Sequence, residues 1–119
     1  MSDPAILSLV AKHQVLDDVF VALADPTRRA VIRRLGNGSA SVGQLAEPFA
    51  MTLPSFMKHV RTLESSGLIR TRKAGRVRTC TLNRARLALV DDWLAEQRSL
   101  WDQRTDRLAH LVTELQEDS

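Results

Sequence analysis

Residues 52–69 read TLPSFMKHVRTLESSGLI. Thr52 has the short oxygen-bearing side chain that caps a helix N-terminus. Pro54 falls in the first turn, where its missing N–H leaves no hydrogen bond unmade. Phe56, Val60 and Leu63 then recur at helical spacing and form one apolar stripe. Gly67 supplies the left-handed residue on which helices end. The pattern predicts a sharply bounded helix over 53–66. Its other face carries Ser55, Lys58, Arg61 and Thr62, two hydroxyls and two long cations.

Downstream of Gly67 the period changes. LIRTRK and RVRTCTL are rich in β-branched residues and are separated by Ala74-Gly75, so a two-stranded hairpin is expected over about 68–82. Its tip, Arg72-Lys73-Ala74-Gly75-Arg76, is strongly basic. Upstream, Ser41 is positioned to cap a short helix of roughly 42–49, with Val42, Leu45, Ala46 and Phe49 apolar; Pro48 leaves its end open. Asp25-Pro26 reads as a cap followed by proline at the first helical position. The helix that follows turns Ala30, Val31 and Leu35 inward and stops at Gly36-Asn37-Gly38. Before it, residues 5–24 space Ile6, Leu9, Val10, Leu16, Val19, Phe20 and Leu23 as a helix would. Asp17 and Asp18 are expected in a first turn, where negative charge suits the helix dipole.

From about Arg84 to the end there is neither Gly nor Pro. Positions 87, 90, 94, 97, 101, 104, 108, 111 and 115 follow the alternating 3-4 spacing of a heptad and are apolar at seven of nine. Trp93 and Leu100 widen the stripe. A helix of about 30 residues is roughly 45 Å long, more than one small domain covers. The economical partner is the same helix of a second chain. A homodimer is therefore expected, built on helices of about 5–24 and 84–116, with Leu9, Val10, Leu16, Phe20, Leu94, Trp101, Leu108, Leu111 and Leu115 at its interface.

The 119 residues suffice for a single domain over 1–119 with one modest core. The net charge of +3 conceals an uneven distribution. Residues 53–86 hold nine basic side chains against one acid, Glu64, a net +8, whereas residues 87–119 hold three basic and eight acidic, a net −5. A basic centre of this density points to a polyanion partner. The stretch PAILSLVA at 4–11 is too short to span a bilayer, so a cytoplasmic protein without a membrane partner is expected. With one cysteine, Cys80, neither an internal disulfide nor a CxxC metal knuckle is available.

The element order is thus helix, helix, short helix, basic helix, basic hairpin, long helix. The fold class is mainly α with a small β-hairpin: a winged helix-turn-helix over about 41–66, a wing over 68–82 and a long C-terminal dimerisation helix. A helix-turn-helix lays its second helix in the major groove of double-stranded DNA. The contact set expected on that basis is Thr52, Ser55, Met57, Lys58, His59, Arg61 and Thr62 on the helix, with Arg72, Lys73, Arg76 and Arg78 of the wing on phosphates or the minor groove. Two readings of Met57 stand equally: contact with a thymine methyl, or a flank of the core stripe.

The runs LDDVFVALADPTRRAVIRRL and SVGQLAEPFAMTLPSFMKHVRTLESSGLIRTRKAGRVRTCTL, with the long C-terminal helix, resemble the ArsR/SmtB family of bacterial winged-helix repressors over roughly residues 16–112. The resemblance implies a homodimer on the first and last helices that binds an imperfectly two-fold operator and represses transcription until a signal releases it. Thr52 falls at the family's usual Ser cap and Lys58-His59 match. Leu53 stands where Gln is common and Met57 replaces a common Ser, which points to a different operator.

Many such repressors sense metals. The family's paired-cysteine positions correspond here to Ser41 and Gly43, and its C-terminal ligand set to Asp91, Trp93, Arg104 and Arg107, so neither site is expected and no cofactor is assigned. Asp102, Asp106, His110 and Glu114 share a helix face and read as a solvated acidic face. His59 reads as a phosphate contact or a packing cap. Cys80 reads as a small buried hydrophobe rather than a redox switch, although strand alternation sets Arg78 on its face. No phosphate loop, Ser/His/Asp set or carboxylate pair suggests an enzyme. The competing reading is a winged-helix module that docks proteins without specific DNA binding. The sequence assigns no inducer.

Overall fold

The computed structural model describes residues 3–117. Its elements are α1 (Pro4–Leu23), α2 (Pro26–Leu35), β1 (Ala40–Ser41), α3 (Val42–Ala46), α4 (Leu53–Ser65), β2 (Ile69–Ala74), β3 (Val77–Leu82) and α5 (Arg84–Glu117). The chain divides into two compact units, one ending at Leu87 and one beginning at Ala88. The second is the remainder of α5. None of the described helices is long and apolar enough to cross a membrane.

Local chemistry sets most boundaries. The Asp3 carboxylate accepts from the Ala5 N–H at 3.0 Å, and Pro4 opens α1. Because α1 runs unbroken to Leu23, Asp17 and Asp18 lie in its interior and not in a first turn, contrary to expectation. The Asp25 carboxylate accepts from the Arg28 N–H at 3.0 Å and starts α2, as predicted. Ser41 and Gln44 form a reciprocal capping box at the start of α3, the hydroxyl accepting from the Gln44 N–H at 3.1 Å and the amide oxygen from the Ser41 N–H at 3.0 Å. That helix closes at Ala46, shorter than the expected 42–49; Pro48 has no N–H with which to extend it.

The sheet has three strands in the order β1-β3-β2, all antiparallel. The third strand is unannounced in the sequence: Ala40 pairs with Cys80 and Ser41 with Thr79. A hydroxyl–hydroxyl hydrogen bond between Ser39 and Thr81 at 2.9 Å extends that seam. The hairpin turns on Gly75-Arg76, one residue later than the expected Ala74-Gly75, since Ala74 pairs with Val77. Gly75 has φ +63° and no described non-glycine residue, Arg76 included, has positive φ, so left-handed backbone occurs at the first turn position alone, the pattern of a type II′ turn.

The core gathers one to three residues from each of α1 to α4 and β1 to β3: Val19 and Ala22, Val31 and Leu35, Ala40, Val42 and Leu45, then Phe56, Val60 and Leu63, Ile69 and Cys80, with Leu68 from the turn after α4. Ala30, expected inward, is half-buried. Phe49, in the turn after α3, stacks on Phe56 with ring centroids 5.6 Å apart, which seats α3 against α4. In the second unit no residue of α5 is buried.

Candidate nucleic-acid interface

Helix α4 is the most firmly bounded element. The Thr52 hydroxyl accepts from the Ser55 N–H at 3.3 Å and donates to the Ser55 hydroxyl at 2.9 Å. At the other end the Leu68 N–H reaches the Leu63 carbonyl at 3.1 Å and the Gly67 N–H the Glu64 carbonyl at 3.0 Å. Gly67 stands at φ +80°. This is a Schellman closure, in which the left-handed residue's own N–H and that of the residue after it return to the last carbonyls of the helix. Phe56, Val60 and Leu63 have no exposed surface, so the helix is held against the core as predicted.

The outer face of α4 is then presented at a fixed angle. Lys58 and Arg61 are exposed, and their side chains form no hydrogen bond or ion pair among the described residues. Ser55 is exposed and its hydroxyl bonds Thr52. The Thr62 hydroxyl donates to the Lys58 carbonyl at 3.0 Å, within its own helix. Met57 is half-buried, between its two expected settings. His59 is held inward instead of standing free on the surface. Its Nδ1 lies 3.1 Å from Arg28 Nη1, and its side chain is 22% exposed.

The wing adds cations and no acid. The side chains of Arg70, Arg72, Lys73 and Arg76 are exposed and make no hydrogen bond or ion pair among the described residues. Lys73 and Arg78 sit directly opposite each other in the β2–β3 register, a like-charge pairing that costs energy unless an anion lies nearby. Arg78 is less free than its neighbours. It donates to the Thr71 hydroxyl at 3.1 Å, which donates in turn to Glu64 at 3.0 Å. That chain ties the wing to α4 through the one acid of the basic segment. Cys80, fully buried below it, has its thiol pKa pushed up by burial and by Glu64, with Arg78 opposing. This is the setting of a small hydrophobe and not of a reactive thiolate.

Comparison with known proteins agrees with this geometry. A helix-turn-helix domain family matches residues 23–72. The chain is 38% identical over 74 residues to the HTH-type transcriptional regulator Rv2034 of Mycobacterium tuberculosis, covering 62% of this chain and 69% of that one. It is 30% identical to the transcriptional repressor SdpR of Bacillus subtilis, over 66% of this chain and 88% of that one. The crystal structure of an ArsR family transcriptional regulator superposes with TM-score 0.73 at 57% identity, over 75% of this chain and 92% of its own. The chain belongs to the ArsR family of transcriptional regulators. This ArsR regulator has the winged helix-turn-helix fold, and its family is one of DNA-binding regulators.

The residues assigned to dimerisation remain in solvent in the single chain. On α1, Leu9 and Val10 are more than half exposed and Phe20 about a third, while Leu16 is half-buried. On α5, Leu94, Trp101, Leu108, Leu111 and Leu115 are all exposed. His110 and Glu114 pair at 3.1 Å on the acidic face of that helix.

Proposed function

We propose that this ArsR regulator is a homodimeric repressor that reads an imperfect palindrome in double-stranded DNA, with α4 in the major groove and the wing on adjacent phosphates or in the minor groove. The observation that carries this reading is the pair Lys58 and Arg61, unpartnered on the outer face of a helix capped at both ends and anchored by three fully buried side chains. Rigid presentation of free donors is what base-edge recognition needs. Arg72, Lys73 and Arg76 supply the sequence-independent attraction. The repressor sense draws support from SdpR, itself a transcriptional repressor. The dimer draws support from the apolar residues that α1 and α5 leave in solvent, which a second copy covers. Such a regulator works in the cytoplasm, beside the DNA.

The test is binding to the DNA upstream of the protein's own gene and to random duplex, with salt titrated. Affinity is expected to fall steeply with salt, because each neutralised phosphate releases counterions. Lys58→Ala and Arg61→Ala are expected to weaken operator binding more than random binding. Arg76→Ala is expected to weaken both and to flatten the salt slope by about one. Equal effects of all three on every duplex would remove α4 from the major groove. Absence of binding to any duplex at low salt would favour a protein-docking module.

A further inference from the structure

The Arg28 side chain lies outside the basic segment and outside the set of residues assigned to DNA, yet all three of its nitrogens are engaged. Its Nε donates to the Ala22 carbonyl at 2.7 Å and its Nη2 to the Val21 carbonyl at 3.1 Å. Both carbonyls belong to the last turn of α1, and that of Val21 also accepts from the Ala24 N–H at 3.2 Å. The third nitrogen, Nη1, lies 3.1 Å from His59 Nδ1. A guanidinium has donors only. The contact is a hydrogen bond only with His59 Nδ1 as the acceptor, which is the tautomer that carries its proton on Nε2. Asp25 Oδ2 lies 3.7 Å from Nδ1, too long for a hydrogen bond, and that oxygen already accepts from the Arg28 N–H at 3.0 Å.

Nε2–H has no hydrogen-bond partner among the described residues, and no side-chain nitrogen or oxygen among them is both buried and unpartnered. Nε2 therefore reaches solvent. At helical spacing His59 lies on the edge of α4 between the buried stripe of Phe56, Val60 and Leu63 and the outer residues Ser55 and Thr62. The ring is clamped on one nitrogen and open on the other, at the rim of the face assigned to DNA.

We propose that Arg28 is a positioning residue for DNA binding: it fixes the ring orientation and tautomer of His59 so that Nε2–H stands as a preset neutral donor to a backbone phosphate. The inference rests on the DNA reading above. It separates Arg28 from the phosphate-contacting cations, since its charge is committed to the end of α1 and to His59. It also makes His59 a contact that is independent of counterion release.

Two measurements test it. The first needs no DNA. Nitrogen NMR of the imidazole at alkaline pH, where the ring is neutral, is expected to show Nε2–H in the wild type and a shift toward Nδ1–H in Arg28→Gln. A wild-type ring protonated on Nδ1, or a tautomer unmoved in Arg28→Gln, overturns the proposal. The second is binding to a random-sequence duplex across a salt series, the suitable probe for a contact that carries no sequence information. Arg28→Gln and His59→Ala are each expected to weaken binding by about tenfold, the usual weight of a hydrogen bond to a charged group. The double variant should lose no more than either single one. His59→Gln, which keeps an N–H near the Nε2 position, should recover most of the loss. All should leave the slope of log affinity against log salt unchanged. A slope reduced by about one in Arg28→Gln would make Arg28 itself a phosphate contact, and losses that multiply in the double variant would make the two residues independent; either refutes the positioning role. A wild-type chain that binds no duplex defeats the DNA reading itself, whereas a wild type that binds while the tautomer stays fixed in Arg28→Gln defeats only the role of Arg28.

Discussion

Gly67 is placed where two requirements coincide. Its backbone is left-handed, and the Arg86 guanidinium covers the side a Cβ would occupy, with Cζ 2.8 Å from that position. Its carbonyl accepts from the Asn83 amide at 2.9 Å. Gly67→Ala is therefore expected to cost about 1–2 kcal/mol from the backbone alone, plus displacement of Arg86, read as a lower urea midpoint. Gly75→Ala meets nothing within 4 Å and should cost less. Asp25 gives a second residue-level expectation. The Arg28 backbone N–H, with weaker help from the Arg28 charge, holds its carboxyl below the ordinary range, while partial desolvation opposes. A depressed folded value means that the contribution is complete above the unfolded carboxylate range and disappears as pH falls through the folded value. Asp25→Ala should lose about 1 kcal/mol at neutral pH. The difference between wild-type and variant denaturation midpoints should shrink on acidification. Position 25 was legible because a cap acts over three residues. The Arg28–His59 contact was not, because its partners lie on different helices and only the folded core brings them together.

Helix α4 shows why some elements can be read directly. Cap, early proline, apolar stripe and terminal glycine all lie within the helix or one turn of it, so local chemistry alone defines it. β1 has the opposite character. Two residues cannot display an alternation, and they are a strand only because Cys80 and Thr79 pair with them. The early end of α3 and the late hairpin turn are differences of a few residues, set by Pro48 and by which residue first reaches the opposite strand. In α1 the aspartates misled because the helix begins at Asp3, well before its buried residues Val19 and Ala22. Phe56 connects the elements best, fully buried and stacked on Phe49. Phe56→Ala should cost about 3–5 kcal/mol and loosen α3 together with α4. The Glu64–Thr71–Arg78 chain is more exposed. Thr71→Val should change global stability by less than about 1 kcal/mol, with both effects read by chemical denaturation.

The first unit has a closed core, whereas none of the described residues of the second is buried. The apolar residues of α5 are consequently at odds with water until something covers them. If a second copy does so, as proposed, the midpoint of thermal unfolding should rise with protein concentration. Leu108→Glu with Leu111→Glu should give a monomer mass in sedimentation; an unchanged dimer mass would exclude α5 from the interface. The contrast in charge between residues 53–86 and 87–119 follows the same division, basic where a polyanion is proposed to bind and acidic on the remaining helix.

The short strand at Ala40–Ser41 has a kinetic consequence. By pairing with Thr79 and Cys80 it joins the two ends of the chain segment that contains α3, α4 and the first wing strand. Closing so long a loop is entropically expensive and returns its contacts late. The helices should form early in refolding and the β1–β3 seam last. Once closed, that seam prevents α4 from opening without the wing. Amide exchange at Cys80 and at the centre of α4 should then report one shared opening event rather than two.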